Sequence, residues 1–214
     1  MGFFSKSNSR QYCCIKTSEE CPLCGKFIEN IFSNNLPESV FNEIYGDSEV
    51  GKMLISQNIN MIMFTGSTKT GQFLYKTAGE KFIKAVMELG GSAPGIVFED
   101  ANIDSAIENI CFNRLFNSGQ CCDGLKRLIV HKNIFNEIVE KLSLAFKNKK
   151  VGIAEDPNTE MGPLVAKRQL DLLISQVEDA KEKGANIVVG GGLLKNQFNG
   201  AFFELTILTN ITKD

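Results

Sequence analysis

Histidine is nearly absent from this chain of 214 residues, with one only, at position 131. A cysteine protease needs a histidine beside its thiol. His131 lies at the end of a predicted strand and reads as a surface residue, so that class is a poor fit. No charge of one sign prevails: 23 basic residues stand against 25 acidic ones, for a formal net charge of -2. Such a balance provides no field to draw the chain onto nucleic acid or an acidic membrane, and neither is expected as a partner. Apolar runs stay too short to span a bilayer. The start, MGFFSKSNSRQYCCIK, has no apolar core and cleavage site of a secretory signal. It also fails the myristoylation pattern, since Lys6 stands where Ser or Thr is needed. A cytoplasmic location is the expectation. No internal repeat and no low-complexity linker interrupts the chain.

What is present is ordinary globular composition, 43% hydrophobic and 22% charged, with an odd number of cysteines, seven. They sit at 13, 14, 21, 24, 111, 121 and 122, unlike the even spread of a disulfide scaffold, and reduced thiols fit better. Cys21-Pro22-Leu23-Cys24 after Cys13-Cys14 invites a zinc reading. The spacing is irregular, however, and a helix face with two incidental thiols is preferred, so no metal site is expected.

Apolar runs of strand length alternate with helical periodicity. Residues 11–16, Val40 to Tyr45, Ile59 to Phe64, Phe82 to Leu89, Pro94 to Phe98, Leu128 to Val130 and Ile187 to Val189 read as strands. Ser18 to Phe32 reads as a helix with Leu23, Phe27 and Ile31 as its stripe, and a brief helix follows Gly46. Further helices run over Thr68 to Lys76, from Ile103 to near Asn117, from Phe135 to Leu142, and from Leu170 to Gly184. This rhythm predicts an α/β fold with a parallel sheet covered by helices. The Gly90-Gly91 pair marks the expected domain boundary, giving parts of 1–90 and 91–214.

Three short segments could carry chemistry. Phe64 to Gly71 (FTGSTKTG) leaves an apolar strand and opens a helix, where glycine lets a backbone approach phosphate and free N–H groups await it. It is not a P-loop, because Gln72 follows the second glycine; a ligand-free turn is the plainer alternative. Glu88 ends an apolar strand and is either turned to solvent or held in a cleft. Cys121-Cys122 follows Asn117-Ser118-Gly119-Gln120 just past a helix, a sensible place for a nucleophilic thiol, although buried structural cysteine is the commoner role.

Together, in this order and spacing, the three segments resemble the NAD(P)-dependent aldehyde dehydrogenase family. FTGSTKTG is similar to its nucleotide turn, Glu88-Leu89-Gly90-Gly91 to its general-base motif, and Phe116 to Cys122 to its nucleophile motif. In that motif the reactive cysteine is the second residue after glutamine, which selects Cys122. Lys16-Thr17-Ser18-Glu19 resembles the element that holds the adenosine ribose. Ile96 to Ala101, Gly162-Pro163-Leu164 and Thr206 to Asn210 are family-like too. The flavour is that of the semialdehyde and lactaldehyde branch.

The resemblance implies a partial aldehyde dehydrogenase fold, a nucleotide-binding part over 1–90 followed by a catalytic part over 91–214. It implies oxidation of a small aldehyde to an acid, with Cys122 as nucleophile and Glu88 as general base. Lys16, Glu19, Gly46, Gly66, Ser67 and Leu89 would form the cofactor site. A carboxylate at Glu19 would repel a 2′-phosphate, so NAD is expected over NADP. Family members are much longer. The expectation is an internal fragment, impaired or inactive as an enzyme, with a second copy or a complementing fragment as its protein partner. Thr17 and Leu205 stand where the family has proline, Ser48 where it has glycine, and residues 1–10 resemble nothing in it.

Overall fold

Two strands joined through a helix cannot close as a hairpin, and in the first half of this chain they pair in parallel. β1 (Cys13–Lys16) and β2 (Phe41–Ile44) flank α1 (Pro22–Ser33), with Cys13 opposite Phe41 and Lys16 opposite Ile44. β3 (Met61–Gly66) and β4 (Lys84–Leu89) flank α3 (Thr68–Glu80) and run in register from Met61 opposite Lys84 to Gly66 opposite Leu89. Between the pairs lies α2 (Ser48–Ser56), capped by Asp47, whose carboxylate accepts from Glu49 N–H at 2.9 Å. The computed structural model describes residues 12–194 and 199–212, so residues 1–10 lie outside it.

The chain divides into two compact units, one ending at Gly90 and one beginning at Gly91. In the second, β5 (Ala93–Val97) pairs in parallel with β6 (Leu125–Val130) across α4 (Ile103–Leu115), and α5 (Phe135–Lys147) and α6 (Lys167–Glu182) follow. β7 (Asn186–Val189) and β8 (Ile207–Thr209) close the unit as an antiparallel pair. One continuous core joins β5, α4, β6, α5, β7 and β8: Val97, Ile110, Ile138, Leu142, Phe146, Val189 and Leu205 are all buried. The first unit has two smaller cores, one around Ile55, Ile62, Leu74 and Ala78, the other around Cys13, Ile15 and Phe41. Among the described residues, no helix is long and apolar enough to cross a membrane.

The architecture is α/β, as the alternation predicts, with three corrections. The described strands form four two-stranded sheets, three parallel and one antiparallel, in place of a single parallel sheet. β8 falls in a segment whose three residues carry too little pattern to read.

The second correction concerns the start of α1. It begins at Pro22, not Ser18: the residue before a proline is pushed out of helical conformation, and proline itself is at home in the first helical turn. Ser18 to Cys21 instead forms a turn closed by Cys21 N–H donating to Ser18 O at 3.0 Å.

The third correction is the face α1 buries. Leu23, Phe27 and Ile31 are exposed, whereas Gly25 is buried and Ile28 and Phe32 pack on the core. A strict spacing of four drifts about 40° around a helix at each step. The 25–28–32 spacing of three then four stays on one face.

Gly25 has its own reason to lie inward. A Cβ there would fall 1.5 Å from Glu43 Oε1 and 2.5 Å from Thr17 Oγ1. The missing side chain makes room for the Thr17 hydroxyl to donate to Glu43 Oε1 at 2.6 Å, and Glu43 N–H in turn donates to Glu29 Oε1 at 3.1 Å. Tyr45 joins this group: its hydrogen bond to Glu43, desolvation, and the carboxylates of Glu43 and Glu29 push its phenol up to about 12. The folded chain therefore holds the Tyr45 proton more tightly than the unfolded chain. The stabilisation is complete below the phenol's ordinary value of 10.0 and is lost as pH rises toward about 12. Ultraviolet titration of the three tyrosines should show one ionising late, and Glu43→Gln should bring that one back toward the others. Three phenols titrating together in the unsubstituted chain would contradict the assignment.

Candidate active site

Parallel strands end on the same side, and ligands of open α/β sheets gather at those carboxyl ends. β3 and β4 finish together, Thr65 opposite Glu88 and Gly66 opposite Leu89. The turn into α3, the expected general base and three expected cofactor residues, Gly66, Ser67 and Leu89, therefore share one rim of the first unit. Ser67 is the N-cap of α3: its hydroxyl accepts from Thr70 N–H at 3.3 Å and meets Thr70 Oγ1 at 3.0 Å. That hydroxyl is occupied within the cap, so what the turn offers an anion is backbone N–H and the positive helix end. Gly71 lets the first turn of α3 settle on the sheet, since a Cβ there would fall 2.5 Å from Leu89 Cδ2. Leu89 is thus a packing partner of the turn, and Glu88, beside it in sequence, is exposed.

The carboxyl ends of β1 and β2 carry the other expected cofactor residues. Lys16 is the last residue of β1, and its side chain is only 14% exposed. The amine donates to Thr17 O at 2.9 Å and stands 3.7 Å from Glu19 Oε2, the intended partner on the far side of the turn. The Lys16 stem passes α2, where a Cβ on Gly51 would lie 3.7 Å from Cδ. Gly46 follows β2 with φ at +142°, in the range that favours glycine, and a Cβ there would meet Val50 at 2.2 Å. Lys16 and Glu19 are brought together, and Gly46 leads into α2 past its cap residue Asp47.

The loop that carries the expected nucleophile, Cys122, belongs to the second unit. After α4, a 3-10 turn (Phe116–Gly119) holds three successive residues in left-handed conformation: Asn117 at φ 50°, Ser118 at 55° and Gly119 at 72°. For Asn117 and Ser118 this costs roughly 1–3 kcal/mol each and persists only when neighbours enforce it. The neighbours are on hand. Gln120 N–H donates to Asn117 O at 3.1 Å, Ser118 Oγ donates to Gly162 O at 3.3 Å, and Gln120 Oε1 accepts from Val165 N–H at 2.9 Å. The family-like Gly162-Pro163-Leu164 segment is thereby explained as the strut under the loop.

Beyond the turn, Cys121 is half-buried and Cys122 exposed. Lys126, at the start of β6, points its ammonium back at three carbonyls, those of Gly91, Cys121 and Cys122, the latter two at 3.4 and 3.5 Å. Gly91 comes so close that a Cβ would sit 3.1 Å from Cys122 O. Neither Gln120 nor Lys126 had been given a role. The glutamine lay within a quoted motif and could have been weighed as a strut, but nothing in the pattern around Lys126 signals its reach.

The thiols differ in environment. Burial pushes Cys111 up, partly offset by the nearby Lys149 ammonium; burial and then Cys13 do the same for Cys14. Among the described residues no three His, Cys, Asp or Glu side chains converge as metal ligands.

The family model described as the aldehyde dehydrogenase family matches residues 12–214. Betaine aldehyde dehydrogenase of Brucella anthropi is 37% identical over 204 residues, covering 94% of this chain and 42% of that protein. Benzaldehyde dehydrogenase of Bacillus subtilis is 38% identical over 201 residues, 92% of this chain and 40% of its own length. An aldehyde dehydrogenase structure from Bacillus cereus superposes with a TM-score of 0.90 at 30% identity, covering 94% of this chain and 41% of that one. A lactaldehyde dehydrogenase structure gives 0.87 at 33%, with 93% and 42% covered. The chain thus spans about two fifths of the length of these relatives.

Two outcomes test the loop. Brief iodoacetamide treatment at neutral pH, read by peptide mass spectrometry, should label the exposed Cys122, Cys21 and Cys24 before Cys13 and Cys111; Cys111 labelled first would refute the burial pattern. Gln120→Ala removes the acceptor of Val165 N–H and should cost about 1 kcal/mol in urea denaturation. No loss would show that the strut is idle.

Proposed function

The chain belongs to the aldehyde dehydrogenase family, and from that premise we propose that it carries the nucleophile, the general base and the cofactor turn of an NAD-dependent aldehyde oxidation, yet does not turn over by itself. The observation that supports the reading most is the nucleophile loop: a strained left-handed run, braced from Gly162 and Val165, that presents an exposed Cys122. Structures of relatives are described with NAD in one case and as NADP-dependent in another. NAD is favoured here because Glu19, held beside Lys16, would accept hydrogen bonds from ribose hydroxyls and repel a 2′-phosphate.

The residues fit such a cofactor. Gly66 and the N-terminus of α3 suit the pyrophosphate, and Lys16 and Glu19 suit the adenine ribose, with Gly46 and Leu89 shaping the turns around them. When bound, the nicotinamide supplies a hydride acceptor. Cys122, as thiolate, attacks the aldehyde carbon; a sulfur–carbon bond forms and the carbonyl oxygen becomes an oxyanion near the Cys122 N–H. After hydride loss the carbon is held as a thioester on Cys122. Glu88 takes a proton from water, the hydroxide adds to the thioester, and the carbon–sulfur bond breaks to release acid and regenerate the thiolate.

The inactive reading rests on coverage. Two fifths of the relatives' length leaves most of their chain unrepresented, and loss of even one oxyanion donor costs on the order of a hundred- to a thousandfold in rate. The assay is NADH formation at 340 nm with short aldehydes, semialdehydes and lactaldehyde among them. The 214-residue chain should be silent. Turnover abolished by Cys122→Ser would overturn the inactive reading while upholding the nucleophile. Calorimetric titration should show NAD binding more tightly than NADP, with Glu19→Gln narrowing the gap; NADP binding more tightly would remove Glu19 from its assigned place.

A further inference from the structure

Cys21 and Cys24 take no part in the chemistry above. Both thiols are free and exposed, at the start of the 12-residue helix α1. Cys21 is the N-cap, Pro22 follows at the first helical position, and Cys24 is the third residue of the helix. Side chains one turn apart on a helix lie about 5–6 Å from each other at Cβ, and a disulfide brings them to roughly 3.8 Å. The difference must come from backbone that is not yet helical. Cys21 supplies it: its φ of -133° and ψ of 51° lie outside the helix, and its side chain makes no capping hydrogen bond that closure would break. Leu23 between them is 82% exposed, so no packed side chain resists the movement.

We propose that Cys21 and Cys24 are a redox-active dithiol that closes reversibly to an intrachain disulfide across the first turn of α1, by exchange with a low-molecular-weight disulfide such as oxidised glutathione. The Cys21 thiolate attacks one sulfur of the oxidant. A protein–glutathione bond forms and one glutathione thiolate leaves. The Cys24 thiolate then attacks the Cys21 sulfur, the ring closes, and the second glutathione thiolate leaves. Two protein thiols are oxidised, one small disulfide is reduced to two thiols, and the two protons pass from protein to glutathione. The clasp forms beside the turn that carries Glu19, since Cys21 N–H closes that turn on Ser18 O. The inference does not depend on aldehyde chemistry.

Trypsin provides a clean readout, because the peptide from Thr17 to Lys26 contains these two cysteines and no other. The full chain is equilibrated in reduced and oxidised glutathione at graded ratios, quenched with acid, alkylated and digested. Expected is a shift from the doubly alkylated peptide to one two hydrogens lighter than the dithiol, following the glutathione ratio and reversed by dithiothreitol. Cys24→Ser should leave glutathione on Cys21 at a level at least tenfold above the wild-type chain, because nothing resolves the mixed disulfide; both positions are exposed, so the fold is spared. A peptide that stays doubly alkylated at the most oxidising ratio overturns the proposal. So does stable glutathione on the wild-type pair, or a disulfide from either residue to Cys13 or Cys14.

Discussion

Parallel pairing is the constraint on which the rest of the first unit depends. Because β1 ends opposite β2 and β3 opposite β4, the residues leaving each strand emerge on the same side of their pair. The chain then needs only turns of the right chemistry at those exits. Gly66 and Ser67 start α3 at one, Lys16 and the Ser18–Cys21 turn lie at another, and Gly46 and Asp47 start α2 at a third. Had either pair been antiparallel, half of these residues would sit at opposite ends of their strands. The three glycines that matter most here, Gly25, Gly46 and Gly71, each relieve a contact that any side chain would make with a neighbouring element.

A different device governs the loop that carries Cys122. Two successive non-glycine residues in left-handed conformation are costly, so the loop keeps its shape only through outside bonds. Ser118 and Gln120 supply them, from a segment over forty positions away in sequence. Lys126 adds a third brace by drawing the carbonyls of Gly91, Cys121 and Cys122 toward one ammonium.

Much of this was legible in the sequence because periodicity and turn residues report local structure. Asp47, Ser67 and Asn102 each mark the start of a helix in the chain, and the apolar runs of β3 and β4 stand out. Three kinds of feature were not legible. The start of α1 was obscured because polar Ser18 imitates a cap, while the proline that starts the helix lies four residues further on. Its buried face was misread because two apolar stripes compete on one helix, and only contact with β1 and β2 decides between them. The braces of the nucleophile loop are long-range hydrogen bonds, and nothing in a neighbouring residue announces them.

Two departures from the family pattern are accommodated by the local structure around them. Thr17, where proline is usual, donates its hydroxyl to Glu43 in space that Gly25 leaves open. That arrangement needs all three residues at once, since a side chain at position 25 would collide with both partners. Leu205, another replacement for proline, is buried in the main core of the second unit with Val189 and Phe146. At Gly190, φ is +65° and a Cβ would fall 2.2 Å from Leu205 O, so the backbone there is shaped to the strand end it faces. At these two positions the replacements are bonded or packed.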